Sequence, residues 1–224
     1  MNTAIILAGG KGTRMGANIN KTLLKIKQKT ILEWSIEKFQ QNENIDEIIL
    51  VARKEDKEFM EKLVKGKGYT KLKKIVEGGK ERQDSCYNGL MQITKDGVVL
   101  FHNSANCLVD QETINEVIKA TKKYGAAVAA QKSKDTIKIA DKEGNVKKTV
   151  DRNYVWLAQT PQAIQTKKAK KVFKQAIKQG YLATDDVGLI EKYGEGKVKL
   201  IQTNNENIKI TTPPDLKFAK LILK

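Results

Sequence analysis

The chain has 224 residues and a formal net charge of +16, with 42 Lys and Arg against 26 Asp and Glu; a chain of this length buries most of its apolar surface in one domain without disulfides. Cys86 and Cys107 make no disulfide framework and fit no zinc spacing, so free thiols in a reducing, cytoplasmic compartment are expected. No apolar run reaches the roughly 20 residues of a membrane span, and residues 4–8 are too short for a signal-peptide core, so a soluble chain with no membrane partner is expected.

Short apolar runs at residues 4–8, 48–52, 75–76, 98–101 and 126–130 read as buried strands, with amphipathic stretches between them. A helix is predicted from Thr30, where Glu33 three residues on completes a capping box and Ile36 and Phe39 share a face. Another runs from about Asp110 to Tyr124 and presents Ile114, Val117, Ile118 and Thr121. Two β-like segments, 136–139 and 146–150, flank Asp141-Lys142-Glu143-Gly144-Asn145, which is turn chemistry; residues 131–160 therefore predict a hairpin projecting from the main sheet. Ala169, Val172, Phe173, Ala176 and Ile177 fall at helical spacing, so 166–179 is predicted as a helix with Lys167, Lys171, Lys174 and Lys178 on its wet face. Thr212-Pro213-Pro214-Asp215 opens a last short helix. Strands alternating with helices predict one α/β domain over residues 1–224, a mostly parallel sheet flanked by helices with a protruding β-hairpin arm.

Only four of the 42 basic residues are arginines: Arg14, Arg53, Arg82 and Arg152. Nucleic-acid readers rely on arginine forks and stacking aromatics, and aromatics are 6% here, so the lysine excess reads as solvated surface and no nucleic-acid partner is expected. Chemistry concentrates elsewhere. The loop Gly9-Gly10-Lys11-Gly12-Thr13-Arg14-Met15-Gly16 follows the first strand, and its glycines turn N–H groups toward an anion while Lys11 and Arg14 add charge, which suits a polyphosphate. It matches neither the dinucleotide fingerprint nor the P-loop. Gly78-Gly79-Lys80-Glu81-Arg82-Gln83-Asp84-Ser85 follows another strand and opens a helix predicted at Asp84 or Ser85; it suits a nucleotide, and equally an ordinary helix cap. Taken alone, Thr149-Val150-Asp151-Arg152 and residues 207–212 read as alternating strands with surface charge.

Taken together, Ala8-Gly9-Gly10-x-Gly12-Thr13-Arg14-Met15, Lys21, Gly78-Gly79-x-Glu81-Arg82-x-Asp84-Ser85, Asp135-Thr136-Ile137-Lys138, Thr149-x-Asp151-Arg152, Gln159-Thr160-Pro161-Gln162, Thr184-Asp185-Asp186 and Asn207-Ile208-Lys209-Ile210-Thr211 carry a resemblance over nearly the whole chain. In order and spacing they resemble the 2-C-methyl-D-erythritol 4-phosphate cytidylyltransferases, whose close relatives are the ribitol-5-phosphate cytidylyltransferases. The resemblance implies a Rossmann-like fold of the nucleotide-diphospho-sugar transferase type. It also implies a CTP-dependent nucleotidyltransferase in which the phosphate of a sugar-alcohol phosphate attacks the α-phosphorus and pyrophosphate leaves. The product would be CDP-methylerythritol, for non-mevalonate isoprenoid synthesis.

By the same resemblance Arg14 and Lys21 stabilise charge on the transferring phosphate, and Ala8, Gly9, Gly10, Gly12 and Thr13 hold the triphosphate. Gly79, Arg82 and Ser85 would lie near the cytidine. Asp135, Arg152, Thr184 and Lys209 would bind the second substrate, with Arg152 and Lys209 also catalytic in aiming its oxygen. A homodimer through the 131–160 arm is implied, which brings Arg152 to the partner's site, together with Mg²⁺ or another divalent cation.

The chain departs from the family's pattern in one loop. Relatives carry His-Asp-Ala-Ala-Arg-Pro with the aspartate on Mg²⁺; here the segment is His102-Asn103-Ser104-Ala105-Asn106-Cys107. Asn103 offers a neutral carbonyl in place of the carboxylate this hard cation prefers, and the arginine has become Asn106. Three readings follow: an enzyme active on methylerythritol phosphate, one that uses ribitol-5-phosphate or another alditol phosphate, or a nucleotide-binding relative of low activity. Asn20 precedes Lys21 where the family commonly has proline, and the sole histidine, His102, is expected to be a packed strand-end residue.

Overall fold

Strands that are apolar at every position need cover on both faces, and the chain supplies it by alternating strand and helix. The computed structural model describes residues 1–10, 20–194 and 196–223. In chain order these form β1 (Asn2–Leu7), β2 (Lys25–Ile26), β3 (Lys29–Thr30), α1 (Ile31–Gln40), β4 (Glu47–Ala52), α2 (Lys54–Val64), β5 (Leu72–Glu77), α3 (Arg82–Leu90) and β6 (Val98–Asn103). There follow α4 (Gln111–Tyr124), β7 (Gly125–Lys132), β8 (Ile137–Ala140), β9 (Val146–Val150), β10 (Trp156–Gln165), α5 (Thr166–Lys178), α6 (Gly188–Tyr193), β11 (Lys197–Gln202) and α7 (Pro213–Ile222).

Seven strands make one sheet in the order β11-β7-β10-β6-β1-β4-β5. All neighbouring pairs are parallel except those of β10, which runs antiparallel to both β6 and β7. The expected mostly parallel α/β sheet is therefore the observed one. Side chains alternate between its faces with period two: Ala4, Ile6, Ile48 and Leu50 join α1 and α4 residues in one core, while Ile5, Ile49, Val99 and Phe101 pack with Cys86 and Phe173 in the other. A third, smaller cluster seats α7 on the loop after β6 through Ile26, Cys107, Ile210, Ala219 and Leu223. Both cysteines are free and buried, as expected.

The local signals read from sequence hold at several termini. Thr30 and Glu33 form the capping box of α1, with Glu33 N donating to Thr30 Oγ1 at 3.1 Å and Thr30 N to Glu33 Oε2 at 2.8 Å. Asp110 caps α4 at Thr113 N, 2.6 Å away, and Asp215 accepts from the Thr211 and Thr212 backbone ahead of α7.

Three readings are corrected. Residues 75–76 were expected to be buried, but Ile75 and Val76 are only half-buried, because β5 lies at the edge of the sheet beside β4. The helix expected at Asp84 or Ser85 starts at Arg82, since Glu81 takes the cap position and its N–H donates to Asp84 Oδ2 at 2.9 Å. Residues 207–212 form no strand; they are held by Asn207 Nδ2, which donates to Thr160 O at 3.1 Å, and by Ile210 N, which donates to Ala105 O at 2.9 Å. The hairpin arm is present as an antiparallel β8–β9 pair, Ile137 opposite Val150, outside the main sheet.

Candidate active site

The sheet's connectivity places the site. From β1 the chain builds outward through β4 and β5 on one side, while β6 lies on the other, so the β1–β6 boundary is where strand order reverses. Ligands of open α/β sheets bind in the crevice outside the carboxyl ends of the strands at such a point. Here that rim is Leu7 opposite Asn103, closed by Ser104, whose N–H and hydroxyl both donate to Leu7 O at 3.1 and 2.9 Å.

A cavity of about 310 Å³ opens at this rim, lined by Gly9, Gly10, Lys21, Lys80, Arg82 and Lys209 among others. Among the described residues four cations face it against one carboxylate, Glu81, which is the polarity a polyphosphate requires. Gly9 and Gly10, expected at the triphosphate, line this cavity together with Lys21, expected at the transferring phosphate, Arg82, expected near the cytidine, and Lys209, expected at the second substrate. Ala8 is buried behind them, and its carbonyl accepts from Asn20. Gly12, Thr13 and Arg14 lie outside the described residues.

Asn20 fixes the entry of Lys21 into this wall. Its amide donates to Ala8 O at 2.8 Å and to Asp56 Oδ2 at 2.7 Å, and its Oδ1 accepts from Thr22 N and Thr22 Oγ1 at 3.1 and 2.8 Å. Arg53 Nε holds the same Asp56 oxygen at 2.6 Å. Burial works against the Asp56 charge, but the bonds from Arg53 and Asn20 outweigh it and keep its pKa below the ordinary carboxylate value.

The second glycine loop is tightly folded on α3. A Cβ on Gly79 would sit 2.2 Å from Asp84 Cβ, so only glycine fits. Ser85 Oγ accepts from Gly79 N at 3.1 Å and donates to Glu81 O at 3.2 Å. Gly79 and Ser85, expected near the cytidine, therefore bind each other and do not line the cavity; Lys80, Glu81 and Arg82 do.

A second cavity of about 590 Å³ adjoins the first, lined by Asn106, Gln159, Thr160, Thr184 and Asp185, and it shares Arg82, Asn103 and Lys209 with its neighbour. Thr184 and Lys209, expected at the second substrate, meet here. Asp135 and Arg152 do not; they stand exposed on the arm, where Arg152 Nη1 donates to Lys134 O at 3.1 Å. Within one chain Arg152 lines neither cavity.

Between the cavities Arg82 is gripped by Asp186, with Nη1 and Nη2 donating to Oδ1 and Oδ2 at 2.6 and 2.7 Å, while its Nε donates to Asn103 Oδ1 at 3.2 Å. Burial opposes the guanidinium charge, yet Asp186 overrides it and holds the pKa above its ordinary value. His102 is buried against Phe39, ring centroids 4.7 Å apart, and burial pushes its pKa down to about 3, so it stays neutral and serves packing as expected. Burial likewise pushes the Cys107 thiol up to about 12, leaving it unreactive.

Sequence reasoning missed Asn20, Lys80, Gln162 and Asp186 as site-forming residues. Asp186 and Gln162 stood inside quoted motifs without a role, and Lys80 stood at a position the motif leaves open. Among the described residues no group of three or more His, Cys, Asp or Glu is placed to hold a metal ion.

Fold and rim together are those of an α/β nucleotidyltransferase, with one cavity faced, among the described residues, by four cations and joined to a second cavity through Arg82, Asn103 and Lys209. Residues 2–224 match the family model of 2-C-methyl-D-erythritol 4-phosphate cytidylyltransferase (IspD), and the chain belongs to that family. A relative from Caldanaerobacter subterraneus subsp. tengcongensis with that name is 44% identical over 99% of this chain and 98% of its own. One from Lachnospira eligens is 41% identical over the full length of both. Among solved structures, the 4-diphosphocytidyl-2C-methyl-D-erythritol synthase of Anaerococcus prevotii superposes with a TM-score of 0.87 at 32% identity, covering 99% of this chain and 97% of that one. The Francisella tularensis cytidylyltransferase gives 0.83 at 29%, covering 99% of each.

Proposed function

We propose that this chain joins CTP to 2-C-methyl-D-erythritol 4-phosphate, releasing pyrophosphate and forming CDP-methylerythritol. The observation that carries the reading is the pair of cavities that meet at Arg82, Asn103 and Lys209, in a chain of this family. CTP is assigned to the cavity lined by Gly9 and Gly10, and the acceptor to the one lined by Thr184. An acceptor phosphate oxygen, already deprotonated at neutral pH, attacks the α-phosphorus as the bond to the β-phosphate oxygen breaks. No general base is needed, so the protein's work is alignment and fixed positive charge, supplied by Lys21 and Lys209 with Arg14.

Mg²⁺ held by the protein at Asn103 does not fit the donors. The only side-chain oxygen Asn103 offers accepts from a guanidinium, and the carboxylate beside it, Asp186, holds both arms of that same group. The arm supports a homodimer: Ile139, Val146, Tyr154 and Leu157 are 49–83% exposed on it or at its base, apolar surface that a second subunit would cover. Within that dimer Arg152 would enter the partner's acceptor cavity. Cytoplasmic residence accords with the free thiols, and no helix among the described residues is long and apolar enough to cross a membrane.

Asn106, which lines the acceptor cavity in place of the expected arginine, favours comparing ribitol-5-phosphate as a second acceptor. The test is pyrophosphate release from CTP with methylerythritol phosphate or ribitol-5-phosphate, with chromatography of the CDP product. Methylerythritol phosphate is expected to be preferred; no product from it at saturating CTP and Mg²⁺ refutes the reading.

A further inference from the structure

We propose that Arg82 is a catalytic residue that contacts the reacting phosphate at the junction of the two cavities, and that Asp186 is the positioning residue that aims it. The inference rests on the reading above and reassigns Arg82 from the nucleoside to the point of transfer. Arg82 lines both cavities, together with Asn103 and Lys209, and any group passed from one substrate to the other must cross that shared wall.

Donor arithmetic supports the role. A guanidinium has five N–H bonds. One on Nε goes to Asn103, and one each on Nη1 and Nη2 go to Asp186, so two remain for phosphate oxygens. The aim of these two is fixed from behind. Asp186 is 2% exposed; its Oδ1 also accepts from Cys86 Sγ at 3.1 Å, and its backbone N–H donates to Gln162 Oε1 at 2.9 Å. Gln162 further accepts from Val187 N and donates to Asp185 Oδ2, tying β10 to the turn before α6. A planar fork held at three points presents its remaining donors in one orientation, the preorganisation that favours charge developing in a transition state.

Asn103 completes the device. A carboxylate there would put a second negative charge on the same guanidinium, whereas the amide leaves the Arg82–Asp186 pair without excess negative charge at the reacting phosphate. Arg82 thereby provides directional positive charge where the donors do not suit a protein-held metal.

The test separates turnover from nucleotide affinity. Arg82→Lys keeps the charge and loses the fork; kcat is expected to fall by about 10²-fold, the usual cost of one preorganised donor, while the CTP dissociation constant measured by calorimetry stays within about threefold. Arg82→Ala should fall at least as far and regain about tenfold with added methylguanidine, a rescue that a purely structural residue would not show. Asp186→Asn should lower kcat by about tenfold with KM for CTP nearly unchanged, because it disturbs aim and not nucleotide contacts. Thermal unfolding of each variant checks folding, and methylguanidine rescue still reads the role of Arg82 if Asp186→Asn is unstable. A loss of CTP affinity that accounts for all the lost activity, or no rescue by methylguanidine, overturns the proposal. Wild type that makes no CDP product fails the functional reading and takes this inference with it, whereas active wild type beside an unimpaired Arg82→Lys sinks the inference alone.

Discussion

Asn20→Ala is the most informative perturbation of the nucleotide side of the site. The side chain is 2% exposed and makes four hydrogen bonds, to Ala8 O, Asp56 Oδ2, Thr22 N and Thr22 Oγ1, at 2.7–3.1 Å. A neutral intramolecular hydrogen bond contributes about 1 kcal/mol net and one to a charged partner somewhat more, while each buried group left unpaired costs about 1–3 kcal/mol. Asp56 retains Arg53, but Thr22 N loses its side-chain acceptor and Ala8 O loses its amide donor. Because the four bonds share one side chain they do not add, and a loss of about 3 kcal/mol is expected. For a domain of this size that lowers the unfolding temperature by about 6–12 °C. Lys21 is the next residue, so CTP affinity should fall as well, since the backbone that aims it is released. Scanning calorimetry measures the first effect and titration calorimetry with CTP the second. An unfolding temperature within about 2 °C of wild type would show that the network is not what holds Lys21, and would refute the reasoning.

Asn103→Asp should create a Mn²⁺ site visible by electron paramagnetic resonance without nucleotide, where wild type shows none; equal binding by both proteins contradicts the donor argument. If Arg152 acts across the dimer, mixing inactive Arg152→Ala and Lys21→Ala subunits should restore about one quarter of wild-type activity, since half the dimers are mixed and each has one complete site. No recovery after verified subunit exchange places Arg152 in its own chain's site. Asp56 and Asp215 have folded pKa values below the ordinary 3.8, burial being outweighed by bonds from Arg53 and Asn20 in one case and from Thr211 and Thr212 in the other. Their stabilisation is complete above the unfolded pKa and is lost as pH falls through the folded one, so urea midpoints should drop below about pH 4. Asp215→Asn should flatten part of that drop; an unchanged slope assigns it elsewhere.

The sequence disclosed those features whose cause lies within a few residues. The capping box Thr30-Glu33, the opening of the last helix at Thr212-Pro213 and the 141–145 turn are local chemistry, and the alternation of apolar runs with amphipathic stretches leaves little choice but a covered sheet. What it did not disclose depends on contacts far apart in the chain. Arg82 and Asp186 are 104 residues apart, Cys86 and Asp186 are 100, and Asn20 and Asp56 are 36. No spacing rule joins such pairs. The misplaced start of α3 has a local cause instead: Glu81 is an unusual cap, and Asp84 reaches back to its N–H.

The same contrast separates the basic residues that matter from those that do not. Lys62–Glu58 and Lys119–Glu116 are exposed pairs on helix surfaces at 2.7 and 3.2 Å, and such pairs contribute little. Each described arginine instead has a partner set by geometry: Arg53 on the Asp56 that braces Asn20, Arg82 on Asp186, and Arg152 on the Lys134 carbonyl of the arm. Arg53 lies outside every quoted motif, so motif membership alone understated what the scarce guanidiniums do. Lysine supplies diffuse charge at the cavity walls through Lys21, Lys80 and Lys209, where flexible point charges can follow a moving phosphate. Of the described arginines, Arg82 is the one that grips its partner through two arms at once, the planar fork that lysine lacks. On that division, removing surface lysines from α5 should leave CTP affinity unchanged at physiological salt, whereas removing Lys80 should weaken it.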